Sequence, residues 1–152
     1  MMQKLCQRDP LWASNKIGKT NLTVGRFGCT LTCISMIDSY FEKVYKLPGY
    51  LAKYLDFTPG GLIIWGSLSR ELPFVLRDRF QGFQKQKIDQ ALRLDNMACI
   101  LEVDHSHWIL ATRLIPFTNT YMIVDPWDGK IKTTMAYKNR ITGGATFILE
   151  HS

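Results

Sequence analysis

The chain is short of long apolar runs. Leu62-Ile63-Ile64-Trp65 is typical of its longest, far below the about 20 residues that a bilayer-crossing helix needs, so no membrane span is expected. No internal repeat, low-complexity tract or linker interrupts the 152 residues, and a single domain over 1–152 is expected. Cysteine is sparse. Cys6, Cys29, Cys33 and Cys99 show no paired C-x-x-C spacing, which argues against a disulfide framework and for free thiols. The N-terminus, Met1 to Gln7, meets a charge and then a proline within ten residues. It therefore lacks the apolar stretch of a signal peptide, and synthesis in the cytoplasm is expected, with any release to a cell wall needing another route. No nucleic-acid-binding motif is present. Nineteen basic against thirteen acidic residues give a net charge of +6, which favours anionic surfaces without specifying one.

What is there is ordinary globular material, 46% hydrophobic and 21% charged, enough for a real core in a chain of this length. Residues 1–24 mix Pro, Asn, Gly and polar residues and read as an irregular arm. Leu31, Ile34, Met36, Ile37, Tyr40, Phe41 and Val44 then recur near helical periodicity and predict a helix over 29–43. Further helices are predicted over 49–55, 63–72 and 87–94, each beside a Pro, Gly or Asn break. From residue 97 the texture changes to short β-rich runs at 97–103, 108–114, 121–124, 130–134 and 145–150. Helices followed by an antiparallel sheet make an α+β fold.

Three residue types with one shared chemistry stand in this frame. Gly28-Cys29 opens the first periodic stretch, so the thiol belongs to a helix start, where the dipole favours a thiolate. Gly28 would allow close approach of substrate and backbone. His107 leads into the apolar strand Trp108-Ile109-Leu110-Ala111, a fitting place for a general base, whereas His105 belongs to the rim. Residues 115–120 read as a hairpin turn, which brings the end of the second strand, Asp125, opposite the start of the first. A carboxylate there would orient the imidazole through Nδ1 and leave the other nitrogen for Cys29. Gln7, on the arm, is able to supply a side-chain amide that binds an oxyanion together with the Cys29 N–H. Two other readings stay open at this point. His105-Ser106-His107 is an H-x-H pair of the kind that holds a metal, and the simpler role for Asp125 is to cap the turn that Pro126 begins. Cys33, one helical turn after Cys29 and beside Ile34 and Ile37, is expected to face the core.

Taken together, Gln7-x-Asp9-Pro10-x-Trp12, Gly25-x-x-Gly28-Cys29-Thr30-x-Thr32, His107-Trp108-Ile109-Leu110 and Asp125-Pro126-Trp127-x-Gly129 resemble the papain-like cysteine peptidases that process bacteriocins at double-glycine leaders. The likeness runs from Gln7 to Phe147. It implies a papain-like fold with N-terminal helices on a C-terminal antiparallel sheet. It also implies catalytic residues Cys29, His107, Asp125 and Gln7, hydrolysis of peptide or amide bonds through a thioester, and no cofactor or metal. Exporters of that family carry this domain fused to membrane and ATPase segments, so the free-standing form is expected to act as a monomer on another substrate. The leading expectation is a phage-type lysin that cuts peptidoglycan peptides, its charge holding it on an anionic wall. The alternatives are a protease that processes a polypeptide precursor and a degenerate papain-like binding or assembly protein.

Overall fold

The computed structural model describes residues 2–150. The arm turns repeatedly before a short helix α1 (Val24–Phe27), and Lys16 and Thr23 bridge across one of its turns. Helix α2 (Cys29–Phe41) follows and is buried on nearly every side, from Leu31 to Ser39. Two of its polar members are tied off at its C-terminal end: Asp38 Oδ2 accepts the Lys46 N–H at 2.7 Å and Ser39 Oγ donates to the Met36 carbonyl at 2.6 Å. Helix α3 (Pro48–Tyr54) starts on the proline, where a missing N–H is harmless. After α4 (Leu68–Glu71) comes strand β1 (Phe74–Gln81), then α5 (Lys85–Arg93) and five more strands: β2 (Met97–Val103), β3 (His107–Leu114), β4 (Tyr121–Asp125), β5 (Lys130–Thr133) and β6 (Ile141–Leu149).

The six strands form one antiparallel sheet in the order β1-β6-β2-β3-β4-β5. Alternate residues of its central strands serve two cores. Ile100, Leu110 and Val124 join Ile34, Ile37 and Leu51 under α2 and α3. Cys99, Leu101, Ile109, Ala111 and Ile123 join Ile88 and Ala91 of α5 on the other side. Both faces are covered, which is why these strands read as continuous apolar runs and not as alternating ones.

Three expectations needed correction. The helix expected over 63–72 is only a 3-10 turn at Trp65–Ser67 running into α4. Upstream of it the chain is extended: Ile63 bridges Phe57, and the Ile64 N–H donates to the Asp56 carbonyl at 2.9 Å. Strand β1 was not expected, because Arg77, Asp78 and Arg79 break its apolar pattern. It lies at the sheet edge, where charge is tolerated and discourages further pairing. Strand β6 begins at Ile141, ahead of the expected 145. The glycines that hid its start are needed there, since a Cβ on Gly144 would fall 2.3 Å from the Phe80 ring.

Candidate active site

The Gln7, Cys29, His107 and Asp125 side chains converge where the start of α2 meets the start of β3 and the end of β4. Cys29 is the first residue of α2 and half-buried. Gly28 joins α1 to α2, and a Cβ there would lie 2.5 Å from the Val24 carbonyl oxygen and 2.7 Å from Val24 Cγ1. The glycine is therefore required by the bend that presents the thiol.

His107 and Asp125 stand two residues out of register. Leu110 pairs with Val124, so the ladder runs on towards Ile109 opposite Asp125. The diagonal is short enough for the imidazole to reach: Nε2 lies 2.8 Å from Asp125 Oδ1. This reverses the expected use of the ring. Nε2 faces the carboxylate and leaves Nδ1 for the Cys29 thiol, with which His107 hydrogen-bonds.

Charge is arranged to ionise the pair. Burial opposes a thiolate at Cys29. Hydrogen bonds to His107 and the Trp108 backbone, the imidazolium charge and the Thr30 hydroxyl outweigh it, and the thiol lies below its ordinary pKa. Burial likewise opposes an imidazolium at His107, but Asp125 and Cys29 together push it up to about 9. Both shifts favour thiolate and imidazolium.

Asp125 is 0% exposed and uses both oxygens. Oδ1 accepts from His107 Nε2 at 2.8 Å and the Trp127 N–H at 3.0 Å, while Oδ2 accepts from Lys132 Nζ at 2.9 Å and from the Tyr137 hydroxyl. Burial alone would raise its pKa, but these four donors hold it well below the usual carboxylate range. The sequence had not pointed to Lys132 or Tyr137. Lys130, Lys132, Lys138 and Arg140 all lie within eleven residues, and nothing in that run marks Lys132 out. It is the hairpin at Gly129, whose φ of +71° turns β4 back into β5, that brings its ammonium inward.

The arm reaches this point by pairing with the turn after β4. The Gln7 N–H donates to the Pro126 carbonyl at 2.7 Å, and Arg8 Nε donates to the Trp127 carbonyl at 2.8 Å with its guanidinium 4.2 Å from the Trp127 ring centroid. Gln7 is thereby fixed at 1% exposure. Its Nε2 spends one N–H on the Gly25 carbonyl at 3.2 Å and keeps a second for another acceptor.

His105 lies outside the cluster, exposed in the turn between β2 and β3 with φ at +56°. Among the described residues no three His, Cys, Asp or Glu side chains form a metal-ligand set. Cys33 is buried in the core as expected, its thiol 3.7 Å from the Trp108 carbonyl, and burial raises its pKa well above the ordinary value. A cleft of about 520 Å³ opens over Cys29 and His107, walled by Leu22, Phe57, Leu62, Trp65, Trp108 and Trp127.

No protein-family model and no curated protein matches this chain. Among solved structures, a double-glycine motif protease from an AMS/PCAT transporter, in complex with the leader peptide, matches with a TM-score of 0.55. The match covers 80% of this chain and 84% of that one at 15% identity. No helix among the described residues is long and apolar enough to cross a membrane. The sheet order, the buried helix that starts on Cys29 and this match together give the chain the α+β fold of a papain-like peptidase.

Proposed function

We propose that this protein is a cysteine peptidase that cuts a polypeptide, with Cys29 as nucleophile, His107 as acid and base, Asp125 as orienting carboxylate and Gln7 as oxyanion donor. The observation that carries the reading is the continuous chain of contacts from the Cys29 thiol through His107 to a fully buried Asp125, at the floor of an open cleft. A degenerate binding protein would have no need of a thiol and a histidine each shifted towards its charged form.

The chemistry follows from the geometry. The Cys29 thiolate attacks the scissile carbonyl carbon, and the oxygen takes up negative charge beside the Cys29 N–H at the helix start and the free N–H of Gln7 Nε2. As the C–N bond breaks, the His107 imidazolium gives its proton to the leaving amine. Neutral His107 then removes a proton from water, the resulting hydroxide adds to the thioester, and the thiolate departs as the acid is released. Asp125 holds the ring in place and stabilises its charged form throughout.

A polypeptide substrate is favoured over peptidoglycan on two grounds. The structurally similar protease is a double-glycine motif enzyme seen with the leader peptide, and the cleft here sets apolar and aromatic walls beside Arg26, Arg79 and Glu102, a mixture suited to the side chains and backbone of an extended chain. The lysin reading expected from sequence rests on a small, free-standing domain without a signal peptide and on its +6 charge, none of which describes the cleft. The test sets a fluorogenic peptide library beside purified cell walls, each treated with the wild type and with Cys29→Ala. Cleavage of peptides that Cys29→Ala abolishes supports the proposal. Release of wall fragments with no peptide cleavage would restore the lysin.

A further inference from the structure

Orienting carboxylates need only hold an imidazole, yet Asp125 is held from two sides. Its second oxygen is taken by a cation and a phenol from β5 and the 3-10 turn behind it (Thr134–Tyr137). Lys132 lies on β5, opposite Ile123, and its ammonium also meets Asp128 Oδ2 at 2.9 Å. Tyr137 packs its ring against the imidazole, with centroids 5.7 Å apart, while its hydroxyl donates to Asp125. A surface ion pair would need neither a buried acceptor nor a second donor.

We infer that Lys132 is a positioning residue of this site, sharing the Asp125 carboxylate with His107 and so limiting how tightly His107 keeps its proton. The inference rests on the peptidase reading above for its meaning, but its geometry does not depend on substrate. A carboxylate facing one cation would grip the imidazolium as hard as the distance allows. Here the charge of Asp125 is divided between two cations at 2.8 and 2.9 Å. Lys132 is itself divided between Asp125 and Asp128. The charged and titratable groups around the imidazole are then Cys29 from α2, Asp125 from β4, Asp128 from the turn, Lys132 from β5 and Tyr137 beyond it. Removing the Lys132 charge leaves the carboxylate to His107 alone and raises its affinity for the proton. Removing the Asp128 charge frees Lys132 for Asp125 and lowers it.

The two opposite signs make the test. The His107 ring is followed by NMR titration of the labelled full-length protein, its signal assigned through His107→Ala. Lys132→Met is expected to move the His107 midpoint up by roughly one pH unit. Lys132→Gln, which keeps a donor but not a charge, should move it in the same direction, and Asp128→Asn should move it down. Tyr137→Phe, which keeps the ring but loses the hydroxyl, should move it by less than either lysine variant. A purely structural role would lower the melting temperature without ordering the midpoints in this way. An unchanged midpoint in folded Lys132→Met overturns the inference, as does a fall. Should Lys132→Met fail to fold, an unchanged midpoint in both Lys132→Gln and Asp128→Asn overturns it equally. No substrate enters the titration. Absence of peptide cleavage would refute the proposed function and leave this result standing.

Discussion

Asp125→Asn is nearly isosteric, and sequence reasoning alone predicts a folded protein with a slower reaction. The structure predicts a less stable one as well. Asp125 accepts four hydrogen bonds with no solvent to replace them. An asparagine offers one oxygen and one NH2. If its oxygen faces His107 and Trp127, its NH2 is pressed against the Lys132 ammonium, and the flipped amide sets its NH2 against the Trp127 N–H and the His107 imidazolium. Hydrogen bonds to a charged acceptor are worth about 1.5–3 kcal/mol each, and a buried donor left unpaired costs about as much again. Lys132 can retain Asp128, which softens the loss, so the expected destabilisation at pH 7 is about 3 kcal/mol. For a domain of this size that lowers Tm by roughly 6–12 °C. The sign with pH follows from the depressed Asp125 pKa. Its stabilisation is present above the unfolded Asp value near about 4 and is lost as pH falls towards the folded one, so the gap between wild type and variant should shrink by about 1 kcal/mol at pH 3. Urea denaturation followed by circular dichroism at both pH values measures this. A variant within about 0.5 kcal/mol of wild type at pH 7, below any mechanism invoked here, would refute the account of Asp125 as a carboxylate held by four donors.

Iodoacetamide at pH 6–7 should label Cys29 well before Cys6, with Cys33 and Cys99 reacting only on unfolding, because burial raises the pKa of both core thiols; mass spectrometry of the labelled peptides reads the order. Peptide cleavage should decline as pH rises through about 9, where His107 gives up the proton that the leaving amine needs; a kcat profile flat to pH 10 would contradict that role. Gln7→Ala should lower kcat by about 10²–10³-fold with little change in KM, the mark of a lost oxyanion donor. Gly28→Ala should destabilise by about 1–3 kcal/mol and slow Cys29 alkylation, since its Cβ meets Val24 at 2.5 Å.

The legible parts of this molecule were those in which local pattern and local environment agree. Helix α2 was readable because its apolar spacing is long and its start carries a glycine. Strands β2, β3 and β4 were readable because the sheet is covered on both faces and leaves continuous apolar runs. The helix over 63–72 misled because Leu62-Ile63-Ile64-Trp65 is apolar enough for either state. The decision was made by backbone bonds to Asp56 and Thr58, which no window centred on 63–72 contains. Strand β1 was hidden for the opposite reason, since an edge position relaxes the pattern that would reveal it.

The site divides along the same line. His107 and Asp125 flank one hairpin, so the turn between them fixes their approach to within two residues and a sequence reader can count it. What counting did not give was the diagonal offset, and with it the ring nitrogen that faces the carboxylate. Gln7 was reachable through the need of a Cys-His-Asp site for an oxyanion donor and through the Gln-x-Asp-Pro-x-Trp resemblance, but not from local pattern, because its place depends on backbone pairing between the arm and Pro126, far apart in sequence. Lys132 and Tyr137 had neither aid. Lysine and tyrosine near a chain reversal are ordinarily solvent-facing, and nothing in Lys130-Ile131-Lys132-Thr133 says which lysine turns inward. Lys130, opposite Asp125, and Lys132, opposite Ile123, share one face of β5, so alternation does not separate them, and it is Lys132 that is half-buried. The Asp125 carboxylate, already committed to His107 on one oxygen, supplies the reason for an inward ammonium on the other. A buried charge calls for partners on every lone pair, and β5 with the 3-10 turn behind it is the part of the chain next to β4 that supplies the two further donors, Lys132 and Tyr137.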